Sequence, residues 1–471
     1  MKITLVNPNY NHDYPQYCLG LLQLASVIRQ CDWDVQIVDA NVLNLTPEQT
    51  VKKIPADTDI VGLTSMTPSV RYSFKVAELL RDTEVFTFFG GAHLSALPEQ
   101  TMHAVPDIDI GVVGEGETTI RELLRWFEKS GNLTLKDIKG IIWRDNDRLV
   151  MNDPRPYITH LDDLPLPAYD LLEHPISQYK AYPPHPNPFC AIISSRGCPY
   201  NCIFCSKVVF GRQYNCFSAD YIFNQIKYVH DTFHVNHIQF YDDSFTLDKK
   251  RVEKLCQLLI DNKLDIMWSC ETRVNLVNRA MLNQMKKAGC DFIYYGIESG
   301  VQKTLKYMNK QITLEQITTA VKTSAQVGIS VIAYMMMGFP HETKEEIMES
   351  IRFITHLPVE FVQWSIVTPF YGTRLYEECK TFNPELESNT AWENWVYSDL
   401  TIKNKRPLDV HTSQVLSIEE LHDLQKLAYR TFYFRPRYIM KMGLRSLTSW
   451  SQMKANVNGF KALLSIPEVH P

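Results

Sequence analysis

The 471-residue sequence predicts an α/β protein: an amino-terminal doubly wound parallel sheet, then a partial (β/α)6 barrel, then a helical carboxyl-terminal region. Three observations carry this. Short apolar runs alternate with amphipathic segments from Met1 to about Trp126, the alternation resumes from Ala191 to about Thr373, and helical, aromatic-rich segments follow. The length exceeds what one hydrophobic core usually serves, so several domains are expected. A hydrophobic content of 45% with 21% charged residues is that of a folded globular chain, and the net charge of -5 argues against a protein built chiefly to hold nucleic acid.

In the first unit, residues 1–137, the strand candidates are Ile3 to Val6, Val35 to Val38, Ile60 to Thr64, Val85 to Phe89 and Ile108 to Val113. Leu19 to Arg29 and Ser69 to Arg81 are amphipathic helices between them, and Thr46-Pro47-Glu48-Gln49 is a capping box with proline at the first helical position. Residues 138–189 break the pattern. Ile141 to Arg144 and Leu149 to Met151 flank Asp145-Asn146-Asp147 like a hairpin, and Asp162 to Pro188 is proline-rich, so this stretch reads as a linker.

The second unit, residues 190–375, has strand candidates at Ala191 to Ser194, His237 to Tyr241, Ile266 to Cys270, Phe292 to Ile297, Ser330 to Met337 and Phe361 to Val367. Capping boxes at Thr313-Leu314-Glu315-Gln316 and Thr343-Lys344-Glu345-Glu346 start two of the helices. Reactive groups in such sheets gather at the carboxyl ends of the strands. Residues 376–471 read as helical, with Trp392, Trp395, a capping box at Ser417 to Glu420 and the aromatic run Arg430 to Tyr438. Arg435, Arg437, Lys441 and Arg445 read as the solvated face of a packing helix rather than a site for an acidic partner or a membrane surface.

The first residues form one apolar strand where a secretory signal would need a basic start and a longer run, and no stretch has the length of a membrane span. A cytoplasmic protein is expected. Its eleven cysteines then read as reduced thiols and a metal site, not as a disulfide framework.

Arg196-Gly197-Cys198-Pro199-Tyr200-Asn201-Cys202-Ile203-Phe204-Cys205 follows the first strand of the second unit with the spacing CxxxCxxC. Three thiolates on one loop suit three irons of a four-iron, four-sulfur cluster and leave the fourth iron open as a Lewis acid. A structural zinc site would need a fourth ligand, and none follows at zinc-finger spacing. Cys190 and Cys216 are the candidates for a fourth cysteine, with small core side chains as the other reading.

These residues resemble the cluster motif of the radical S-adenosylmethionine superfamily, and later segments resemble its cofactor-binding elements in order. The resemblance implies a [4Fe-4S] cluster on Cys198, Cys202 and Cys205, and S-adenosylmethionine beside Phe204, Asp242, Asp243, Ser244, Arg273, Glu298 and Gly338. Arg273 would pair with the cofactor's carboxylate through its guanidinium fork, and Gly338 would let backbone approach adenine.

The carboxyl-edge loops of the first unit contain Asn9-Tyr10, Thr64-Ser65-Met66-Thr67, Gly91-Ala92-His93 and Gly114-Glu115-Gly116, and no GxGxxG opens the first helix. Glycine and hydroxyl residues there admit a ligand's phosphate or amide, while the missing fingerprint argues against a nicotinamide or flavin. The loops resemble the cobalamin-binding domain that precedes many radical S-adenosylmethionine enzymes, among them methyltransferases and the anaerobic porphyrin-ring cyclase. All these loop residues are thereby implied as cobalamin contacts. The DxHxxG motif that supplies a histidine to cobalt is absent, His12 lacks its context, and His93 reads as a loop hydrogen bond in preference to a ligand.

The resemblance implies a methyltransferase acting on an unactivated carbon, through a 5′-deoxyadenosyl radical and methylcobalamin. Its substrate would be a peptide or protein side chain or a small molecule, and its electron donor a flavodoxin or ferredoxin. A ring-forming or oxidative enzyme of the cyclase type is the first alternative, and a non-catalytic iron-sulfur sensor or electron carrier the second.

Overall fold

The computed structural model describes residues 1–471 apart from 11–16, 130, 147, 173–175, 177–178, 180–188, 389–411, 437 and 442–471. His12, Trp392, Trp395, Arg437 and Arg445 lie outside the described residues.

Five parallel strands build the first sheet: β1 (Lys2–Asn7), β2 (Asp34–Asp39), β3 (Ile60–Thr64), β4 (Phe86–Gly90) and β5 (Ile110–Val112). A hairpin of β6 (Ile141–Asp145) and β7 (Arg148–Met151) extends it, giving the order β2-β1-β3-β4-β5-β6-β7. The hairpin was expected to belong to a linker; instead β6 pairs antiparallel with β5, Ile110 opposite Trp143 and Val112 opposite Ile141. Burial explains the difference, because Ile138, Ile141, Ile142 and Trp143 join the core and cover the edge that the short β5 would leave open.

The second sheet is parallel throughout, ordered β15-β14-β13-β12-β11-β8 from β8 (Phe189–Ile192), β11 (His237–Phe240), β12 (Met267–Thr272), β13 (Cys290–Glu298), β14 (Ser330–Met337) and β15 (Phe361–Ile366). Each strand lies beside its predecessor, as βα units wound in one direction require. Two short strands, β9 (Ser195–Arg196) and β10 (Asn215–Cys216), pair antiparallel beyond the end of β8. The capping boxes at Thr46, Thr313, Thr343 and Ser417 all form, each with its reciprocal glutamine or glutamate.

Helix Ile418–Tyr433 covers the outer edge of β15. Tyr429 Oη accepts from Trp364 N at 3.0 Å, and Tyr433 Oη accepts from Val362 N and donates to Val362 O, both at 3.1 Å. These hydroxyls satisfy backbone groups that an edge strand otherwise presents to other chains. Arg435 and Lys441 also turn to the barrel, donating to Thr355 O and the Glu360 carboxylate.

The two sheets meet at their carboxyl edges. Between them Tyr17 stacks on Phe189 and meets Tyr169 and Tyr179 edge to face, and its Oη accepts from Ala191 N at 2.5 Å.

Candidate active site

Beyond β8 the chain turns at Gly197, whose φ is +75°. A Cβ there would stand 2.2 Å from Gln213 O, so only glycine permits the approach that folds the cysteine loop back on residues 210–213. The loop is tied at several points. Lys207 Nζ donates to Cys198 O at 2.7 Å and to Tyr200 O, Ile203 N donates to Met308 O at 3.1 Å, and Leu375 N donates to Ile203 O at 3.0 Å. Cys198 is buried, while Cys202 and Cys205 are half-buried.

Three thiols on one tied loop are the donor chemistry an iron-sulfur cluster takes, although among the described residues no three metal-ligating side chains converge on one point. Burial first, then the Asp243 carboxylate, pushes the Cys205 thiol up to about 12. Arg273 Nη1 lies 3.6 Å from Cys202 Sγ, with its guanidinium 3.8 Å above the Tyr200 ring. Cys190, by contrast, sits in β8 against Tyr17 and Tyr169, where burial pushes its thiol up to about 11. It is a core side chain.

The segments expected to hold S-adenosylmethionine end at the same mouth of the barrel. Arg273 Nη2 donates to Lys310 O, Lys310 Nζ donates to Glu298 Oε1 at 2.6 Å, and the same ammonium lies 5.9 Å from the Phe204 ring. Glu298 has a left-handed backbone, φ +66°, and a Cβ on Gly296 would press on its carboxylate. Phe204 meets Phe339 edge to face at 6.1 Å beside Gly338, whose φ is +92° and whose N–H donates to Glu342 Oε2 at 2.7 Å. Lys310 went unmarked in the sequence because nothing in its spacing distinguishes a loop lysine that folds back between strands.

Asp242 and Asp243 divide. Asp242 is buried and accepts from Ser194 N, Ser194 Oγ and Ser195 Oγ at 2.7, 2.6 and 2.5 Å, with Arg251 at 3.4 Å, so its carboxylate is spent holding the approach to the cysteine loop. Asp243 is exposed at the surface, and partial desolvation of its carboxyl, then the neighbouring Asp242, raises it. Ser244 is buried.

Across the junction, a cavity of about 190 Å³ opens at the carboxyl edge of the first sheet, lined by Gly90, Gly91, Gly114, Gly116, Phe88 and Leu63 with Arg196, Val209 and Phe210 from the second unit. A Cβ on Gly91, φ +100°, would stand 2.6 Å from Thr64 Oγ1 and Ser65 O, so this edge is shaped by absent side chains. Its apolar walls and bare backbone fit part of a corrinoid. Met66 and Ala92 are exposed at this edge, and Tyr10 is half-buried.

Asn9 Nδ2 donates to Asn44 Oδ1 at 3.1 Å, and Ser65 is buried. His93 is buried, bonded to Thr67 Oγ1 at 3.3 Å, and burial with nearby Arg71 pushes it down to about 4. It is a neutral loop anchor at ordinary pH.

Glu115 has a role the sequence did not reveal. Its Oε1 meets Arg196 Nη1 at 2.6 Å and its Oε2 accepts from Ile158 N at 2.7 Å, while Glu117 Oε1 meets Arg196 Nη2 at 2.5 Å. All three ionic side chains are buried. They link the glycine edge of one sheet to the residue two before Cys198.

Comparison with known proteins agrees with this arrangement. The B12 binding domain family matches residues 11–124 and the radical SAM superfamily residues 192–354. An uncharacterized methyltransferase of Pyrococcus horikoshii is 36% identical over 90% of this chain and 89% of its own length. The anaerobic magnesium-protoporphyrin IX monomethyl ester cyclase of Rubrivivax gelatinosus is 26% identical over 80% and 70%. Among solved structures, the radical S-adenosylmethionine methyltransferase TsrM from Kitasatospora setae, with cobalamin and a [4Fe-4S] cluster bound, shares the fold with a TM-score of 0.67, 17% identity, and coverage of 80% of this chain and 75% of that one. With both family segments in order and this identity across nine-tenths of the chain, the protein belongs to the cobalamin-dependent radical S-adenosylmethionine methyltransferases.

Proposed function

We propose that this enzyme places a methyl group on an unactivated carbon of a small molecule or a peptide or protein side chain, at the junction of the two sheets. One observation carries the reading: Arg196, two residues before Cys198, lines the same cavity as Gly91, Gly114 and Gly116. The bound cofactors supply reductive cleavage of S-adenosylmethionine and methyl transfer to carbon.

The chain's own residues bind and orient. Cys198, Cys202 and Cys205 would hold three irons of the cluster, and Arg273, already beside Cys202, would offer its guanidinium to the carboxylate of S-adenosylmethionine. Asp243 and Glu298 would offer carboxylates to its amino and ribose groups, Phe204 would wall the pocket, and Gly338 would give adenine access to backbone. Asp242 supports this wall from beneath through Ser194 and Ser195. Thr64 to Thr67, Gly91 to His93, Gly114 and Gly116, with Asn9 and Tyr10, form the corrinoid face, and Glu115 acts on it through Arg196.

No described helix is long and apolar enough to cross a membrane. We place the enzyme in the cytoplasm, reduced by a flavodoxin or ferredoxin. The test is mass spectrometry of metabolites and proteins from cells with and without the gene, beside anoxic reconstitution of the purified protein. Gain of one methyl supports the reading; a new ring or an added oxygen instead would replace it with the cyclase chemistry, and no cleavage of S-adenosylmethionine on reduction would sink both.

A further inference from the structure

Along its last two strands the barrel buries one face fully and the other by half. On β14, Tyr334 and Met336 are half-buried while Met335 and Met337 are buried, and on β15 Gln363 and Ser365 alternate in the same way with Trp364 and Ile366. Successive side chains of a strand point to opposite faces, so the buried set lies under the helices and the half-buried set lines a trough. A closed eight-stranded barrel would fill that space with side chains.

Glu271 of β12 stands on this trough. Its Oε1 accepts from Tyr334 Oη at 3.2 Å, and the Tyr334 ring lies 5.6 Å from that of Tyr294. Among the described residues it has no ion-pair partner. Two residues earlier on the same strand face, Ser269 Oγ is fully buried without a hydrogen-bond partner among the described residues. Gln239, opposite Ser269 in the parallel register, has its buried Oε1 in the same state. Burial pushes the Glu271 carboxyl up to about 7 despite the Tyr334 bond, and Asp243 and Asp242 add to the rise. None of these groups serves the cluster, S-adenosylmethionine or corrinoid roles assigned above.

We propose that Glu271 and Tyr334 form the substrate-recognition site, seating a hydrogen-bond-donating group of the substrate, an amine or a hydroxyl, inside the barrel. The Gln239 amide oxygen can only accept, and the Glu271 carboxyl accepts when ionised, so what completes them is a donor, and a cationic donor would itself hold Glu271 ionised. Leaving a buried acceptor unpaired costs about 1–3 kcal/mol, which makes such a site selective against analogues that lack the donor. The faces of Tyr294 and Tyr334 add attraction if the donor is an ammonium.

The inference rests on the methyl-transfer reading, and one experiment separates them. Cells carrying wild type, Glu271→Leu, Glu271→Gln or no gene are compared by mass spectrometry for compounds that gain one methyl. Those compounds are then treated with acetic anhydride, which marks amines and alcohols, and by reductive methylation, which marks amines alone. The expected product takes up acetyl groups, and its yield falls roughly hundredfold in Glu271→Leu and about tenfold in Glu271→Gln.

Iron content and the change in the cluster's electron paramagnetic resonance on adding S-adenosylmethionine check the purified variants. Both are expected to persist, which shows a folded protein with its cofactor seated. A methylated product that takes up no acetyl group overturns the proposal, as does an undiminished yield in Glu271→Leu. Loss of the S-adenosylmethionine-induced change in both variants overturns it too, by making Glu271 a cofactor contact. Absence of any methylated compound in wild type overturns the methyl-transfer reading and this inference with it.

Discussion

Arg196 Nη1 lies 2.6 Å from Glu115 Oε1 across the junction of the two sheets, with both side chains buried. Truncating the arginine strands two carboxylates, since Glu117 shares the same guanidinium. Arg196→Met is therefore expected to lower stability by roughly 3–5 kcal/mol, measured by urea unfolding. Arg196→Lys recovers only part, because an ammonium cannot present a planar fork to two carboxylates. Both variants should also retain less cobalamin after gel filtration; full retention would show that the link serves folding alone.

The three cysteines are expected to act as a set. Cys198→Ala, Cys202→Ala or Cys205→Ala should each lose most bound iron and sulfide after anoxic reconstitution, whereas Cys190→Ala and Cys216→Ala keep them. Loss of iron in Cys190→Ala without loss of folding would mark it as a fourth ligand, against its position between Tyr17 and Tyr169.

Much of this architecture was legible because it rests on local pattern. Apolar alternation gave the strands, the S/T-x-x-E/Q signals at Thr46, Thr313, Thr343 and Ser417 gave four helix starts, and CxxxCxxC gave the cluster loop. What stayed hidden depends on partners distant in sequence. Asp242 resembles a free cofactor contact until Ser194 and Ser195, 48 and 47 residues away, are seen to occupy it. Lys310 and Arg196 gain meaning only from Glu298 and Glu115. The hairpin from Ile141 looked like a linker because β5, the strand it pairs with, is separated from it by a helix.

His93 makes stability fall as pH drops below its ordinary value. Its folded value of about 4 lies below the ordinary 6.5, so between these values the unfolded chain binds the extra proton. The contribution is complete above pH 6.5 and is lost as pH falls toward 4, amounting to about 3 kcal/mol at most. His93→Gln should flatten the urea-unfolding profile across this window; a slope as steep as wild type would assign the effect to other groups.

Lys310 and Glu298 form a buried pair, 2.6 Å apart, at the mouth of the barrel. Lys310→Met leaves the buried Glu298 carboxylate unpaired, while Arg273 keeps its bond to the main-chain oxygen of residue 310, so S-adenosylmethionine affinity should fall roughly tenfold or more in equilibrium dialysis while iron content holds. Lys310→Arg keeps the charge and should lose less. Equal affinity in Lys310→Met would detach this lysine from the cofactor pocket.

The helix over β15 is held to its strand by two hydroxyls. Tyr429 Oη is the hydrogen-bond acceptor for Trp364 N, and Tyr433 Oη serves both backbone groups of Val362. Replacing either tyrosine by phenylalanine keeps the ring and its packing but removes the hydroxyl. A buried N–H then loses its acceptor, at a cost of about 1–3 kcal/mol. The double variant should lose more than either single one, because the two hydroxyls hold adjacent rungs of the same edge.

Amide exchange gives the sharper test, since Val362 and Trp364 should lose protection before the central strands β12 and β13 do. An exposed edge also pairs with other chains, so the double variant is expected to aggregate at temperatures where wild type stays monodisperse. Unchanged exchange at Val362 and Trp364 would mean that the rings alone, through their packing, hold the helix on the barrel.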